Sequence, residues 1–283
     1  MTLVLIAIGL LFSTNLKAQP SSTVTLTTAG NTTTITIDAD GDIGCFSTAC
    51  GSGTCITGNL IIDNSAGYDY TIPNDAFHGC PALEKVTFIG NAGNIGDLAF
   101  RNVSQLKKVT FYGNVGNIGL EAFCNCHSME TITFYGNVGN IGNAAFNVAK
   151  IKTLTFPGNV GTIDAFAFAS CGALKTLTFC GDVGEFVGGS VFQFCPLLRT
   201  IKFEKEMIPP LTSGAGGTGN TFFGLDANII DGGLVVVVPV GSLADYKSSG
   251  WSHIIRIIEP PTRPYILHKT KLGKGAVLNI GKP

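Results

Sequence analysis

Among the side chains that could carry out acid–base, nucleophilic or metal chemistry, the four histidines and nine cysteines are the first to consider. His78, His127, His253 and His268 are scattered, with no partner at the spacing of a metal site or of a Ser-His-Asp arrangement. No Gly-x-Ser-x-Gly, His-Glu-x-x-His or phosphate-binding loop occurs. We therefore predict that the protein is not an enzyme, with no catalytic residues, no cofactor and no metal site.

Four of the nine cysteines hold the same place in a repeated pattern, three residues after a phenylalanine, which predicts small apolar side chains in the interior. They are Cys80, Cys126, Cys171 and Cys195. Another three, Cys45, Cys50 and Cys55, cluster near the N-terminus. We expect one disulfide among these three in an oxidising compartment, and the choice of pair stays open.

Residues 38–42, Asp-Ala-Asp-Gly-Asp, have the alternating carboxylates of a calcium loop. Glycine is absent from the sixth position of that loop, and Ala49 stands where a bidentate carboxylate is required. A polar turn is therefore the better interpretation.

The elements that must position these side chains come from an internal repeat of about 23 residues. Six copies align on two phenylalanine columns, with leucine, isoleucine, valine or methionine between them. The first column is Phe77, Phe100, Phe123, Phe146, Phe168 and Phe192, at spacings of 23, 23, 23, 22 and 24 residues. The second column is Phe88, Phe111, Phe134, Phe156, Phe179 and Phe203.

Apolar and polar residues alternate before the second column, as at Val86, Thr87 and Phe88, which indicates a strand with one buried face. One unit cannot bury that face alone, whereas stacked copies can, with strands about 4.8 Å apart. The Gly-Asn corners favour turns, because both residues tolerate positive φ and asparagine can bond to its own backbone. We predict a solenoid of short strands with little helix, and one helical turn near each Ala-Phe.

The repeated pattern Ile-Gly-x-x-Ala-Phe-x-x-Cys-x-x-Leu-x-x-Val-Thr-Phe resembles the BspA-type leucine-rich repeat, and residues 118–126 match it most closely. The resemblance implies an α/β leucine-rich-repeat solenoid, a β-rich right-handed coil with an N-terminal β cap and a C-terminal strand–helix cap. Proteins with such repeats are typically secreted or surface-exposed, and those studied serve in adhesion or host interaction. Val103 and Ala149 depart from the family's cysteine position without breaking the coil.

Both ends of the array have features of their own. Residues 1–18 form an apolar run with the ending typical of a secretory signal peptide, so we expect cleavage after Ala18, a secreted or cell-surface location and no transmembrane segment in the mature protein. Residues 235–238 are predicted to form a last strand, and Ser242 to begin a short helix with a capping-box-like pattern. Trp251 and residues 254–258 are expected to cover the terminal phenylalanines.

These features divide the chain into five predicted segments. They are a signal peptide (1–18), an N-terminal β-rich cap (19–71), six repeats (72–206), a terminal repeat with the C-terminal cap (207–259) and a basic tail (260–283). The 18 basic and 19 acidic residues nearly cancel, which argues against nucleic-acid binding. Self-association through an acidic front and a basic tail stays open.

The predicted strands have one face directed away from the phenylalanine columns. It carries a threonine row beside two tyrosines, namely Thr87, Thr110, Thr133, Thr155 and Thr178 with Tyr112 and Tyr135. Such a face could hydrogen-bond and stack on an extracellular protein or glycan, and we predict a non-catalytic binding module for adhesion or host interaction. The alternatives are threonines present only for β-propensity and cross-strand pairing, and a structural or self-associating surface scaffold without a specific small ligand.

Overall fold

A computed structural model describes residues 24–29, 32–37, 56–67, 70–212, 233–249, 251 and 256–260 of the 283-residue chain. The expected signal peptide, the three N-terminal cysteines, the polar turn at 38–42, His253, His268 and the tail beyond residue 260 lie outside these ranges. Within them the chain is a β-solenoid of about eight turns with almost no helix, which confirms the predicted fold class.

The described elements are short strands and a single helix. In chain order they are β1 (Val24–Ala29), β2 (Thr32–Ile37), β3 (Gly58–Asp63), β4 (Leu83–Ile89), β5 (Lys108–Phe111), β6 (Thr131–Phe134), β7 (Thr153–Phe156), β8 (Val160–Ile163), β9 (Thr176–Phe179), β10 (Val183–Val187), β11 (Thr200–Phe203), β12 (Leu211–Thr212), β13 (Val235–Val237), α1 (Leu243–Ser248) and β14 (Ile257–Ile258). No helix among these residues has the length and apolar composition needed to cross a bilayer.

We number the six repeats coils 1 to 6, from the coil of Phe77 to the coil of Phe192. The strand that ends at the second-column phenylalanine pairs in parallel and in register with its neighbours, so that Phe88 faces Phe111 and Phe111 faces Phe134. The strand order is β1-β2-β3-β4-β5-β6 in one sheet and β7-β9-β11-β13-β14 in another. A third sheet, β12-β10-β8, is continued towards coil 1 by isolated parallel bridges at Ile141, Ile118 and Ile95.

The hydrogen-bonded ladder is interrupted between β6 and β7. In coil 2, the backbone N–H after the second-column phenylalanine, that of Tyr112, donates to the carbonyl of Phe88 in the preceding coil (3.1 Å). Coils 3, 5 and 6 repeat this bond, but Pro157 holds the position in coil 4 and has no N–H. The rings of Phe134 and Phe156 still stack, with centroids 5.1 Å apart, so only the backbone pairing is lost.

The two phenylalanine columns form the core. Each of their rings is at most 4% exposed, and consecutive centroids lie 4.5–5.9 Å apart with planes within 21° of parallel. Burying one such side chain contributes about 1.5–3 kcal/mol, and stacking adds to it. The predicted interior columns are therefore the main source of stability in the array.

The corner side of the solenoid, defined by the Gly-Asn-Val-Gly-Asn-Ile-Gly segments such as residues 113–119, brings neighbouring backbones very close. A Cβ built on Gly142 would lie 2.8 Å from the carbonyl carbon of Gly119 and 3.0 Å from its oxygen. Gly116, Gly119 and Gly142 are not among the residues with positive φ, so the prediction of a positive-φ requirement is wrong for them. Their glycines are needed because the next coil leaves no room for a side chain.

Asparagines on the corner side bond from coil to coil and not, as predicted, to their own backbone. The side-chain oxygen of Asn94 accepts the N–H of Asn117 (2.8 Å), and that of Asn117 accepts the N–H of Asn140 (2.9 Å). A parallel ladder joins Asn91, Asn114, Asn137, Asn159 and Asp182 at 2.8–3.0 Å. These ladders give partners to backbone N–H groups that regular strands do not satisfy.

The turn side, which contains the Ala-Phe pairs, has no helical turn, so that prediction is wrong. In every coil, the residues two before and two after the first-column phenylalanine have positive φ, between 51° and 68°. They are Asp75 and Gly79, Leu98 and Asn102, Glu121 and Asn125, Ala144 and Val148, Phe166 and Ser170, and Ser190 and Phe194. Left-handed residues this close together interrupt any run of right-handed helical ones.

The C-terminal cap follows the prediction in outline. β13 pairs with β11, α1 follows, and Trp251 is 1% exposed, packing edge-on against Phe186 and Phe203 with its indole N–H donated to the carbonyl of Pro209 (2.9 Å). Two details differ. β14 pairs beyond β13, so residues 235–238 are not the last strand.

The helix start also differs from the predicted capping box. Ser242 makes no side-chain cap to α1. Instead Glu259 accepts the backbone N–H groups of Gly241 (2.9 Å) and Leu243 (3.1 Å). A carboxylate from the residue after β14 therefore ties the helix start to the edge of the sheet, a role that no local pattern reveals.

Candidate functional site

The strand face is the outer surface of strands β4, β5, β6, β7, β9 and β11, on the side away from the phenylalanines. Each strand contributes three outward positions, which form three rows across the coils. The first row is Lys85, Lys108, Thr131, Thr153, Thr176 and Thr200, the second is Thr87, Thr110, Thr133, Thr155, Thr178 and Lys202, and the third is Ile89, Tyr112, Tyr135, Pro157, Cys180 and Glu204. The structure thus places the predicted threonines and tyrosines side by side on one surface.

Two tyrosines of the third row project from this face. The rings of Tyr112 and Tyr135 stack with centroids 5.2 Å apart and planes 12° from parallel, yet they are 57% and 60% exposed. The backbone beneath them is fixed by the N–H bonds to Phe88 and Phe111 (3.1 and 3.0 Å). The pair is therefore a firmly held aromatic surface in contact with water.

The threonine row differs from coil to coil in burial. Thr155 is exposed and Thr87, Thr133 and Thr178 are half-buried, whereas Thr110 is only 4% exposed. The hydroxyl oxygen of Thr110 has no hydrogen-bond partner within the described part of the chain. The threonines are therefore not joined into a continuous hydrogen-bonded chain, and coil 2 differs from the others.

Charged residues line the start of the strands. Lys107 pairs with Glu84 at 2.9 Å, and Lys152 lies 4.0 Å from Glu130. Lys85 and Lys108 are exposed neighbours in register, and neither takes part in an ion pair with any described residue.

At the coil 6 end of the face, Lys202 donates to the carboxylate of Glu204 (2.7 Å). This bond, followed by one from the Cys180 thiol, lowers the pKa of Glu204 below its ordinary value. The charge on the face is thus balanced at coil 6 and unbalanced at coils 1 and 2.

A polar network on the turn side went undetected in the sequence. His78 Nδ1 lies 2.9 Å from a carboxylate oxygen of Asp75, and its Nε2 lies 3.1 Å from the side-chain nitrogen of Asn102. Asn125 donates in turn to Asn102 (3.0 Å). The i, i+3 spacing of Asp75 and His78 was the available signal. Because both ring nitrogens are engaged, His78 lacks the free nitrogen that a general base requires.

Cys124 lies beside an ion pair between Arg101 Nε and Glu121 Oε2 (3.0 Å) on the turn side. Burial raises the pKa of the Cys124 thiol, and the charge of Glu121 adds to that effect. A nucleophilic cysteine needs a lowered pKa, so this cluster is not an activated thiol.

The four cysteines predicted as interior spacers are all buried and form no disulfide. The thiols of Cys126, Cys171 and Cys195 donate to the carbonyls of Phe100, Phe146 and Phe168, each in the preceding coil, at 3.0–3.2 Å. Burial raises the pKa of Cys126 strongly. These thiols therefore act as weak donors within the core.

Metal chemistry has no support in the part of the chain that the structure describes. There, no three histidine, cysteine, aspartate or glutamate side chains are grouped to hold an ion.

Comparisons with known proteins concern mainly the repeat. Residues 70–199 match the model of the BspA type leucine-rich repeat region in six copies, and no curated protein matches the chain. A solved leucine-rich repeat protein from Bacteroides ovatus ATCC 8483 is similar at 16% identity and a TM-score of 0.40, covering 86% of this chain and 67% of that one.

Two further solved structures are similar at 14% identity and a TM-score of 0.24. A leucine rich cell surface protein from Faecalibacterium prausnitzii A2-165 is aligned over 87% of this chain and 96% of its own. The pneumococcal vaccine antigen PcpA is aligned over 86% of this chain and 98% of its own.

The matched segment contains the first-column phenylalanine of all six coils and ends immediately before β11. The repeat that the family model describes is therefore the unit that builds the coils. Residues 70–199 are therefore a BspA-type leucine-rich repeat region of six copies.

Proposed function

We propose that this protein is a secreted or cell-surface, non-catalytic binding module whose strand face contacts an extracellular protein or glycan. The observation that carries the proposal is the stacked pair of Tyr112 and Tyr135, which is more than half exposed on a rigid sheet. Large aromatic rings held in water on a fixed backbone contribute binding energy at little cost in side-chain entropy. The threonines beside them supply hydroxyl groups for orientation.

The proposed location is supported by the resemblance to repeat proteins that are typically secreted or surface-exposed, and by the apolar leader. The absence of catalysis is supported by the described side chains: His78 is engaged at both nitrogens, and the thiols of Cys124 and Cys126 have raised pKa values. A fixed face without activated groups suits recognition.

The test is binding of the full chain to arrays of glycans and matrix proteins, repeated with the double variant Tyr112→Ala and Tyr135→Ala. We expect the hits of the native protein to be lost. The matched control is Phe194→Ala, which removes another aromatic side chain, 63% exposed, from the turn side. Binding that survives the double tyrosine variant, or falls equally with Phe194→Ala, contradicts a strand-face site.

A second candidate function is a self-associating surface scaffold. Phe194 and Leu197 in coil 6 are 63% and 42% exposed on or beside the turn side, which favours contact with another apolar surface. Sedimentation velocity over a range of concentrations distinguishes the two functions, since a scaffold forms oligomers that Phe194→Ser reduces. A concentration-independent monomer rules out the scaffold.

A further inference from the structure

Two unpaired lysines lie on the strand face near the tyrosine pair. Lys85 and Lys108 occupy neighbouring coils in direct register, where adjacent backbones are about 4.8 Å apart. Like charges directly opposite each other in a sheet are unfavourable. Lys107, the residue before Lys108, differs from both because it has a carboxylate partner in Glu84. An anionic group bound between Lys85 and Lys108 would remove their repulsion.

Thr110 lies between the lysines and the tyrosines. It follows Lys108 by two positions and precedes Tyr112 by two, so all three side chains project from the same face of β5. Its hydroxyl is buried without a hydrogen-bond partner in the described residues, which costs about 1–3 kcal/mol. The described part of the chain therefore leaves a polar atom unsatisfied between the lysines and the tyrosines.

The tyrosine stack has two outer ring faces. One face of Tyr112 contacts Tyr135, and the other is directed towards coil 1, where the smaller Ile89 occupies the row. The face of the Tyr112 ring that is directed towards coil 1 therefore extends beyond the smaller side chain of Ile89. The apolar face of a sugar ring can pack on such an aromatic surface while its hydroxyls remain hydrogen-bonded.

Along the strand, the lysine and the tyrosine are close enough for one ligand to contact both. Residues two apart in a strand are separated by about 6.6 Å, so the Cα atoms of Lys108 and Tyr112 are about 13 Å apart. This distance accommodates a sugar ring on the tyrosine and an acidic substituent that a flexible lysine reaches. We infer that coils 1 and 2 of the strand face bind an acidic glycan, one carrying carboxylate or sulfate groups, an inference that rests on the proposed binding function.

A sugar fits this surface better than an extended acidic peptide does. The backbone of β5 is hydrogen-bonded on both sides, to β4 and to β6, so no free edge is available for strand addition. A ligand must therefore bind through side chains alone. The hydroxyl, aromatic and ammonium groups present match a hydroxyl-rich, anionic ligand.

The experiment is calorimetric titration of the full chain with three probes: a short oligomer of galacturonic acid, its carboxyl-reduced neutral counterpart and a sulfated oligosaccharide. We expect at least about tenfold weaker binding of the neutral probe, and weaker binding of the acidic probes as salt rises. The relative affinities of the carboxylated and sulfated probes identify which anion the site prefers.

The key variant is Lys85→Gln with Lys108→Gln, and we expect it to bind the acidic probes at least about tenfold more weakly, with a melting temperature no lower than that of the native protein. Its control, Lys150→Gln with Lys175→Gln, removes the same charge from exposed lysines in coils 4 and 5 and should bind normally. This control separates a specific site from general electrostatic attraction.

Several results would overturn the inference. Equal affinity for neutral and acidic sugars, equal losses in the two lysine variants, or tighter binding of a poly-glutamate peptide each exclude an acidic-glycan site. If the tyrosine variant alone abolishes neutral-sugar or protein binding, the proposed function stands without the inference. If no probe binds, the inference fails. The proposed function is then tested separately by binding of the full chain to the array of matrix proteins.

Discussion

On the corner side, glycine and asparagine recur from coil to coil, whereas the strand face changes from lysine to threonine and from tyrosine to proline along the array. The corner residues are fixed by the neighbouring backbone, which excludes a Cβ at Gly142 and offers its N–H groups to Asn117 and its equivalents. The strand-face side chains range from exposed, as at Thr155, to buried, as at Thr110. The corner residues thus recur because the coil needs them, whereas the first and third rows of the strand face are less constrained.

Among the substitutions that test this difference, we expect Gly142→Ala to have the largest effect on stability. The new methyl group would lie 2.8–3.0 Å from backbone atoms of Ile118 and Gly119, and backbone cannot move aside as a side chain can. We expect a loss of about 3 kcal/mol in the free energy of unfolding, measured by urea denaturation.

The control for Gly142→Ala is Gly172→Ala. Gly172 has no atom within 4 Å of an added Cβ and does not have positive φ. This substitution should be neutral or stabilise the protein by up to about 1 kcal/mol. Equal effects at both glycines would show that close approach does not determine the corner sequence.

An intermediate effect is expected for Asn117→Ala. The N–H of Asn140 loses the side-chain oxygen that accepts it at 2.9 Å, and because the site is exposed, water replaces part of the bond. We expect a loss of about 1 kcal/mol in the free energy of unfolding, from the same denaturation measurement.

Asn117→Asp tests the reason for that loss, since it keeps an acceptor oxygen. Asp97 already fills this role in a neighbouring column, accepting the N–H of Leu120 at 2.7 Å. The aspartate variant should therefore retain most of the stability at neutral pH. If it is as unstable as the alanine variant, the ladder bond is not the cause.

The smallest effect is expected on the strand face, for Thr155→Ala. Thr155 is exposed and makes no side-chain hydrogen bond with a described residue, so its removal should change the free energy of unfolding by no more than about 0.5 kcal/mol. A melting temperature close to that of the native protein is the expected measurement. A loss comparable to that of Asn117→Ala would show that both sides of the coil are equally structural.

Periodicity made the core of this protein predictable. The phenylalanine columns and the buried cysteines follow from apolar spacing, because stacked coils must bury the same positions. The strand at β13, the short helix and the burial of Trp251 are predicted instead from the segment after the repeats, which must cover the last coil. The contact between Tyr112 and Tyr135 follows from register alone. Their role in binding and the predicted segment boundaries stay predictions.

Features that depend on contacts between residues distant in sequence could not be predicted from the sequence. The cap of α1 by Glu259 joins residues 16 and 18 positions apart, and the partners of Asn117 lie one coil away. Positive φ at Leu98 or Phe166 runs against residue preference and is imposed by the coil. The missing N–H of Pro157 can be read from the sequence, but the broken strand pairing cannot, because it depends on the carbonyl of Phe134 in the neighbouring coil.

The asparagine ladders give the solenoid a direction. Each side-chain oxygen accepts an N–H from the coil that follows it in sequence, from Asn91 to Asn114 and onward, and the described ladders never run the other way. The two ends of the stack therefore differ: one end offers backbone N–H groups and the other offers side-chain oxygens. An added coil fits only if it offers N–H groups to its predecessor and carboxamide oxygens to its successor, so the array can lengthen by duplication but cannot be joined to an inverted copy of itself.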